Sequence, residues 1–145
     1  MAKESDVDKF IESQRTFTAQ GPEYKKTKEA LKEVLLALPD EDFKIATNNL
    51  ILAVLHEKPY GQLMYLEPIK GKFKIMQLTI HKNMPISLLK WVIAHELGHA
   101  MQGRNWKEED SDNLEVDADE WAEKWGFLPL PKEAEEWYNK RAKRF

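Results

Sequence analysis

One run of five residues, His95-Glu96-Leu97-Gly98-His99, constrains this chain more than any other feature of its sequence. The run lies inside an apolar segment whose spacing predicts a helix. On a helix the two histidines are one turn apart, so both imidazoles project from one face and can bind a single metal ion. The glutamate lies about 100° further round the helix, where its carboxylate reaches the edge of the same site. The spacing therefore predicts a metal centre with a neighbouring carboxylate, the H-E-x-x-H arrangement of zinc hydrolases.

The third ligand must come from outside this run, because a catalytic zinc ion usually has three protein ligands and one water. A third histidine six residues after His99, with a glycine three residues after it, would be typical of metzincins. Asn105 and Gln102 stand at those two positions, so the metzincin arrangement is excluded. The remaining candidates are acids further along the chain: Asp110, Asp112, Glu115, Asp117, Asp119 and Glu120.

Helix geometry selects two of these acids. Four residues of the next predicted helix share one face: Glu115, Ala118, Asp119 and Ala122. The alanines are small, so this face can lie close to the first helix at Gly98. We therefore predict that Glu115 is the third ligand and that Asp119, one turn later, accepts the second N–H of a ligand histidine. Asp117 and Glu120 point elsewhere on the helix and are predicted to be solvated.

Further helices and three strands are predicted around these two segments. The helices are predicted over residues 6–20, 23–38, 86–102, 114–125 and 132–144, and the strands over 48–57, 62–69 and 73–81. Turn signals at 58–61 and 70–72 predict that the strands form a meander. The apolar run 50–55 is also compatible with a helix started by Asp40, because periodicity alone does not separate the two. Gly126 is the predicted C-cap of the second site helix.

The segment from Glu115 to Gly126, taken with His95-Glu96-Leu97-Gly98-His99, resembles a known family. It follows the pattern E-x-x-A-D-x-aromatic-A-x-x-x-G and looks like the glutamate helix of gluzincins, closest to that of the CAAX-prenyl and HtpX-type membrane proteases. The chain is similar to their soluble relatives, the minigluzincins, and a similar helix occurs in ImmA/IrrE-type peptidases. The resemblance implies that the glutamate is the third zinc ligand and that the aspartate four residues later supports a ligand histidine.

The fold that this resemblance implies is α+β. It is a zincin-like minimal scaffold in which a small three-stranded sheet packs on an active-site helix and a glutamate helix. The N- and C-terminal helices predicted from spacing are additional to this scaffold. We expect a single domain over residues 1–145, because 145 residues suit one hydrophobic core. Within it we expect a helical extension at 1–40, a catalytic core at 45–127 and a helical tail at 130–145.

Composition excludes several other classes of protein. The chain has no cysteine, which excludes disulfides, Cys-ligated zinc, iron–sulfur clusters and a thiol nucleophile. A net charge of -3 argues against nucleic acid as a partner. No apolar run approaches the roughly 20 residues that span a bilayer, and the N-terminus does not resemble a secretory signal. We therefore expect no membrane partner and a cytoplasmic location.

These observations together predict a zinc-dependent endopeptidase with one zinc ion per chain and a peptide or protein substrate. Glu96 would take a proton from water and later give it to the leaving amine. The polar donors considered for the tetrahedral oxygen are Tyr60, Tyr65, Tyr138, His56 and His81, and none of them is selected. An edge strand, either Gln62–Leu66 or Phe73–Ile80, could bind the substrate backbone.

Two alternatives to this function remain open. The chain could be an ImmA-like regulatory protease with one dedicated target, or a non-catalytic scaffold that zinc stabilises. The N-terminal helices or residues 131–145 could cover the cleft and keep the enzyme latent, as in a zymogen. A homo-oligomer is compatible with the sequence.

Overall fold

The chain folds as a small α+β protein, as the sequence predicted. The computed structural model describes residues 3–14, 22–56, 61–66, 73–80, 84–102, 111–128 and 132. In chain order the elements are α1 (Glu4–Glu12), α2 (Pro22–Ala37), α3 (Asp40–Thr47), β1 (Leu50–His56), β2 (Gly61–Leu66), β3 (Phe73–Ile80), α4 (Ile86–Ala100) and α5 (Ser111–Lys124). Among these helices, none combines the length and the apolar character that crossing a bilayer requires.

The sheet is not the meander that the turn signals predicted, because its strand order is β1-β3-β2. The central strand β3 pairs antiparallel with β2 and parallel with β1, so that Leu50 lies opposite Lys74. A turn signal predicts that the chain reverses, but not that the two arms bond to each other. The four residues between β1 and β2 can reach about 13 Å when extended, and strands two places apart are about 9.6 Å apart. The third strand can therefore lie between them.

The apolar run 50–55 lies in a strand, so the alternative that it forms a helix started by Asp40 is wrong; the helix that begins at Asp40 ends at Thr47, before the run. Helix α3 begins at Asp40. The three acids in its first turn stabilise the helix, because their negative charges lie at the positive end of the helix dipole. Strand β1 follows from Leu50. Asn49 joins the two elements with a φ of 56°, a left-handed conformation that asparagine adopts more readily than most residues.

Helix α4 lies in the middle of the molecule, where it packs against α2, α5 and the sheet. It is buried on nearly all sides, which accounts for its apolar composition. One core cluster joins α2, the sheet and α4, and its fully buried members include Leu31, Val34, Leu35, Met76, Leu78, Leu88, Ile93 and Leu97. The site residues His95 and Glu96 therefore lie on a helix that is packed into the core.

The outer edge of β1 is occupied by a side-chain amide from the N-terminal segment. Helix α1 ends at Glu12, earlier than predicted, and buried Gln14 follows it. The Leu52 N–H donates to Gln14 Oε1 at 2.9 Å, and Gln14 Nε2 donates to Leu50 O at 3.4 Å. This amide takes the place of a further strand on that side of the sheet.

The end of α5 has the predicted glycine cap. Gly126 has a φ of 91°, and the chain closes the helix with hydrogen bonds from Gly126 N to Glu123 O and from Phe127 N to Ala122 O, both 2.9 Å. Of the predicted C-terminal helix, the structure describes Lys132 alone. The tail that was expected to cover the cleft therefore lies outside the described residues.

Candidate metal centre

Two helices, α4 and α5, form the site, and small residues let them approach closely. A Cβ atom placed on Gly98 would lie 2.8 Å from Ala118 O and 3.0 Å from Ala118 Cα. Ala118 and Ala122 are fully buried on the facing helix. This is the close packing that the sequence predicted at Gly98. It brings the acids of α5 within reach of the histidines of α4.

The three residues predicted as ligands come together across this contact. His95 Nε2 lies 2.9 Å from Glu115 Oε2, His99 Nε2 lies 3.1 Å from Glu115 Oε1, and the two Nε2 atoms are 3.2 Å apart. In a tetrahedral zinc site with bonds of about 2.0–2.1 Å, ligand atoms are about 3.3 Å apart. The observed separations fit this spacing, so the group could hold a metal ion.

Asp119 supports the first histidine. His95 Nδ1 lies 2.7 Å from Asp119 Oδ1. An ionised carboxylate accepts hydrogen bonds and donates none, so the proton of this bond belongs to Nδ1. The lone pair of His95 Nε2 is then directed toward His99 and Glu115. This is the role that the spacing of the acids predicted for Asp119.

Gln102 supports the second histidine, and this role of Gln102 was not predicted from the sequence. His99 Nδ1 lies 2.9 Å from Gln102 Oε1, and Gln102 Nε2 donates to Leu114 O at 2.8 Å and to Asp117 Oδ2 at 3.1 Å. Asp117 is half-buried and accepts this bond, so the prediction that it is solvated was wrong. The signal available was the i, i+3 spacing of His99 and Gln102, which places both on one face at the helix end.

These contacts leave hydrogen-bond acceptors facing one another at the centre of the site. With both Nδ1 atoms protonated, His95 Nε2 and His99 Nε2 present lone pairs, and the Glu115 carboxylate adds two oxygens. Acceptors about 3 Å apart repel one another unless a cation lies among them. Two imidazoles and one carboxylate form one of the donor sets that zinc takes in catalytic sites.

Glu96 is buried beside these ligands without a partner for one oxygen. Glu96 as a whole is 6% exposed, and its Oε2 atom has no hydrogen bond within the part of the chain that the structure describes. Burial, and secondarily the negative charge of Glu115, raises the pKa of Glu96 to about 8. A buried carboxylate oxygen without a donor is unfavourable, and it calls for a cation or a substrate group nearby.

An aromatic ring and open solvent border the site. The centroid of the Trp91 ring lies 5.2 Å from that of the His95 ring. Away from the histidines, Trp125 Nε1 donates to Asp42 Oδ2 at 3.0 Å and joins the end of α5 to α3. The side chains of Glu115 and Asp119 are 61% and 53% exposed, so the α5 side of the centre is open to solvent. The tyrosines and histidines considered as donors to the tetrahedral oxygen lie outside the described residues or have side chains that the structure does not describe: Tyr60, Tyr65, Tyr138, His56 and His81.

Family models, curated proteins and solved structures were each compared with the chain, and none of them matched. The resemblance to minigluzincins therefore rests on the residues of the two motifs and on no aligned relative. What the centre does has to be argued from its own geometry.

Proposed function

We propose that this protein is a zinc-dependent endopeptidase with a zincin-like scaffold of the gluzincin type. The observation that carries the proposal is the convergence of His95 Nε2, His99 Nε2 and the Glu115 carboxylate as acceptors, about 3 Å apart. A structural zinc site is typically closed by four protein ligands, whereas three residues converge in the described part of the chain. A centre with three ligands leaves a position for water or substrate.

In this proposal His95, His99 and Glu115 hold one zinc ion, and Asp119 orients His95. When bound, zinc supplies Lewis acidity, which lowers the pKa of water and polarises a carbonyl group. The exposed side of Glu115 leaves the centre accessible to a peptide. The chain's other contribution is the proton chemistry of its buried carboxylate.

Glu96 is the proposed general base. Its free oxygen, Oε2, would take a proton from the attacking water and deliver it to the nitrogen of the leaving amine. Burial raises the pKa of Glu96 in the protein without a cation. A nearby divalent charge favours the ionised form, which restores the carboxylate that this step needs.

The proposed peptide substrate binds beside the outer edge of β2. The strand Phe73–Ile80 is central in the sheet, so the prediction that it could be a substrate-binding edge was wrong. The edge of β1 is occupied by Gln14. Strand β2 has no pairing partner on its outer side among the described strands. An extended peptide can add to such an edge through backbone hydrogen bonds.

A variant of this proposal is a latent enzyme, in which a terminal segment covers the cleft. The C-terminal tail, proposed as the cover, lies outside the described residues. Among the N-terminal elements, α1 buries Val7 and Ile11 against the core, so α1 contributes to folding as well.

A cytoplasmic location remains part of the proposal.

Hydrolysis of denatured casein by the zinc-loaded protein tests the proposed activity. We expect the wild type to cleave casein and Glu96→Gln to keep its zinc while losing at least about 100-fold in rate, since a general base contributes roughly 10²–10⁴-fold. A Glu120→Gln variant, changed at an exposed position of α5, is the matched control and should cleave normally. Equal cleavage by the wild type and Glu96→Gln would contradict the mechanism. Zinc binding without cleavage would favour a latent enzyme, a dedicated target or a scaffold.

A further inference from the structure

Gln102 occupies a turn that places its side chain between the two site helices. It follows the last residues of α4, and its backbone N–H donates to His99 O at 3.1 Å. The side chain is half-buried. Its amide contacts His99 on one side and the first half of α5 on the other. The residue is therefore in contact with both the second histidine and the helix that carries the third ligand.

The contacts with α5 fix which way the amide faces. Leu114 O is a carbonyl oxygen and Asp117 Oδ2 is a carboxylate oxygen, so both groups accept hydrogen bonds. Gln102 Nε2 lies 2.8 Å from the first and 3.1 Å from the second, and it can donate to each. An inverted amide would place its oxygen against two acceptors. The favourable orientation leaves Gln102 Oε1 facing His99.

This orientation fixes the position of the proton on His99. Gln102 Oε1 accepts only, so the 2.9 Å contact requires that His99 Nδ1 carries the proton. The neutral ring then has its lone pair on Nε2, the atom that faces His95 and Glu115. Without this support the ring could rotate or take the other tautomer, and either change would remove a ligand lone pair from the centre.

The two histidines are supported by groups of different charge. His95 donates to the Asp119 carboxylate, and His99 donates to the Gln102 amide. Helix α5 already places Glu115, Asp117 and Asp119 near the centre. A neutral amide orients the second ring without adding another negative charge to these acids.

We propose that Gln102 is a positioning residue that sets the tautomer and orientation of His99 while it holds the Leu114–Asp117 segment of α5 in place. This inference rests on the proposed function, because it concerns how the same centre binds its metal. Gln102 itself does not contact the ligand lone pairs. Its effect passes through His99 and through the segment that carries Glu115.

The test compares two substitutions of the same kind. Gln102→Met keeps the side-chain length and removes every hydrogen bond of the amide. Gln14→Met does the same at a buried amide that bonds the β1 backbone. Zinc affinity is measured by competition with a chromophoric chelator, and cobalt(II) is used as a spectroscopic probe of the ligand geometry. The thermal midpoint of each metal-free variant reports general loss of stability.

We expect Gln102→Met to weaken zinc binding by roughly 10–100-fold and to change the cobalt spectrum. Gln14→Met should lower the thermal midpoint and leave the zinc affinity and the cobalt spectrum as in the wild type. If Gln102→Met binds zinc with wild-type affinity and shows the wild-type cobalt spectrum, the inference is wrong while the metal centre stands. If the wild type binds neither ion, the proposed function fails, and the inference fails with it.

A measurement on the zinc-loaded wild type keeps the inference testable even if Gln102→Met does not fold. Nitrogen-15 NMR of the histidine side chains distinguishes the protonated ring nitrogen from the one that binds metal. We expect a hydrogen-bonded proton on His99 Nδ1 and zinc on Nε2. Zinc bound through His99 Nδ1, or an Nδ1 proton that exchanges with water as freely as in a solvated imidazole, would overturn the role given to Gln102.

Discussion

The two histidines of the candidate centre show how much of its geometry depends on residues outside the H-E-x-x-H run. Each ring is oriented through Nδ1, by Asp119 at 2.7 Å for His95 and by Gln102 at 2.9 Å for His99. Asp119 could be predicted, because Glu115 and Asp119 are four apart on one helix. Gln102 could not be selected from spacing alone, because the fixed orientation of its amide depends on acceptors that α5 supplies from another part of the chain.

Replacing Asp119 with asparagine tests the support of the first histidine. The amide oxygen can still accept from His95 Nδ1, but the variant loses the negative charge that makes the ring a stronger ligand. We expect zinc affinity to fall by roughly tenfold in Asp119→Asn and by up to about 100-fold in Asp119→Ala. Chelator competition measures both values, with Glu120→Gln as the exposed control. Wild-type affinity in Asp119→Ala would refute this role.

The buried carboxylate of Glu96 predicts a pH-dependent stability in the metal-free protein. The pKa of Glu96 is about 8 in the folded state, against the ordinary glutamate value of 4.5 in the unfolded chain. As the pH rises between these values, the unfolded state releases a proton that the folded state keeps, so the wild type loses stability. Glu96→Gln lacks this group. We measure the free energy of unfolding in urea with a chelator present. The free energy of unfolding of Glu96→Gln, relative to that of the wild type, should rise by about 1 kcal/mol or more between pH ~4 and ~8. A constant difference across this range would contradict the burial argument.

At the scale of elements, the centre depends on the close contact of α4 with α5. The spacing of small residues predicted that contact, because Gly98 and Ala118 lie on the faces that carry the ligands. The order of the strands could not be predicted in the same way. Turn residues indicate where a chain reverses, whereas strand pairing depends on how the strands pack against the rest of the core. The central strand β3 buries Met76 and Leu78 fully on one face.

Gly98→Ala tests this helix contact. The new Cβ would meet backbone atoms of Ala118 at 2.8 and 3.0 Å, and a backbone cannot move aside as a flexible side chain can. Helix α5 must shift, and Glu115 and Asp119 shift with it. We expect the free energy of unfolding to fall by about 1–3 kcal/mol. Zinc affinity should fall as well.

Gly126→Ala is the matched control for that experiment. A Cβ there meets open space, but the φ of 91° is unfavourable for alanine. This variant should also lose stability, yet it should bind zinc as the wild type does. Wild-type zinc affinity in Gly98→Ala would show that the centre does not need the close contact.

At the scale of the whole molecule, local sequence patterns predict individual helices and caps, whereas the contacts that join these elements form between residues far apart in the sequence. The α+β class, the two site helices and the glycine cap at Gly126 follow from periodicity and capping residues within short segments. Gln14 at the edge of β1 and Trp125 bonded to Asp42 join residues that are 36 to 38 and 83 positions apart. Such pairs have no signal in spacing, because their geometry exists only after the core has formed.

The most direct test of the proposed centre is the zinc content of the untagged protein by elemental mass spectrometry. The wild type is compared with Glu115→Ala, which lacks the proposed third ligand, and with Glu120→Ala, an exposed control on the same helix. We predict one zinc per chain in the wild type and in Glu120→Ala, and little or none in Glu115→Ala. A wild type without metal after zinc is supplied, or Glu115→Ala with the full zinc content, would contradict the assignment of this centre.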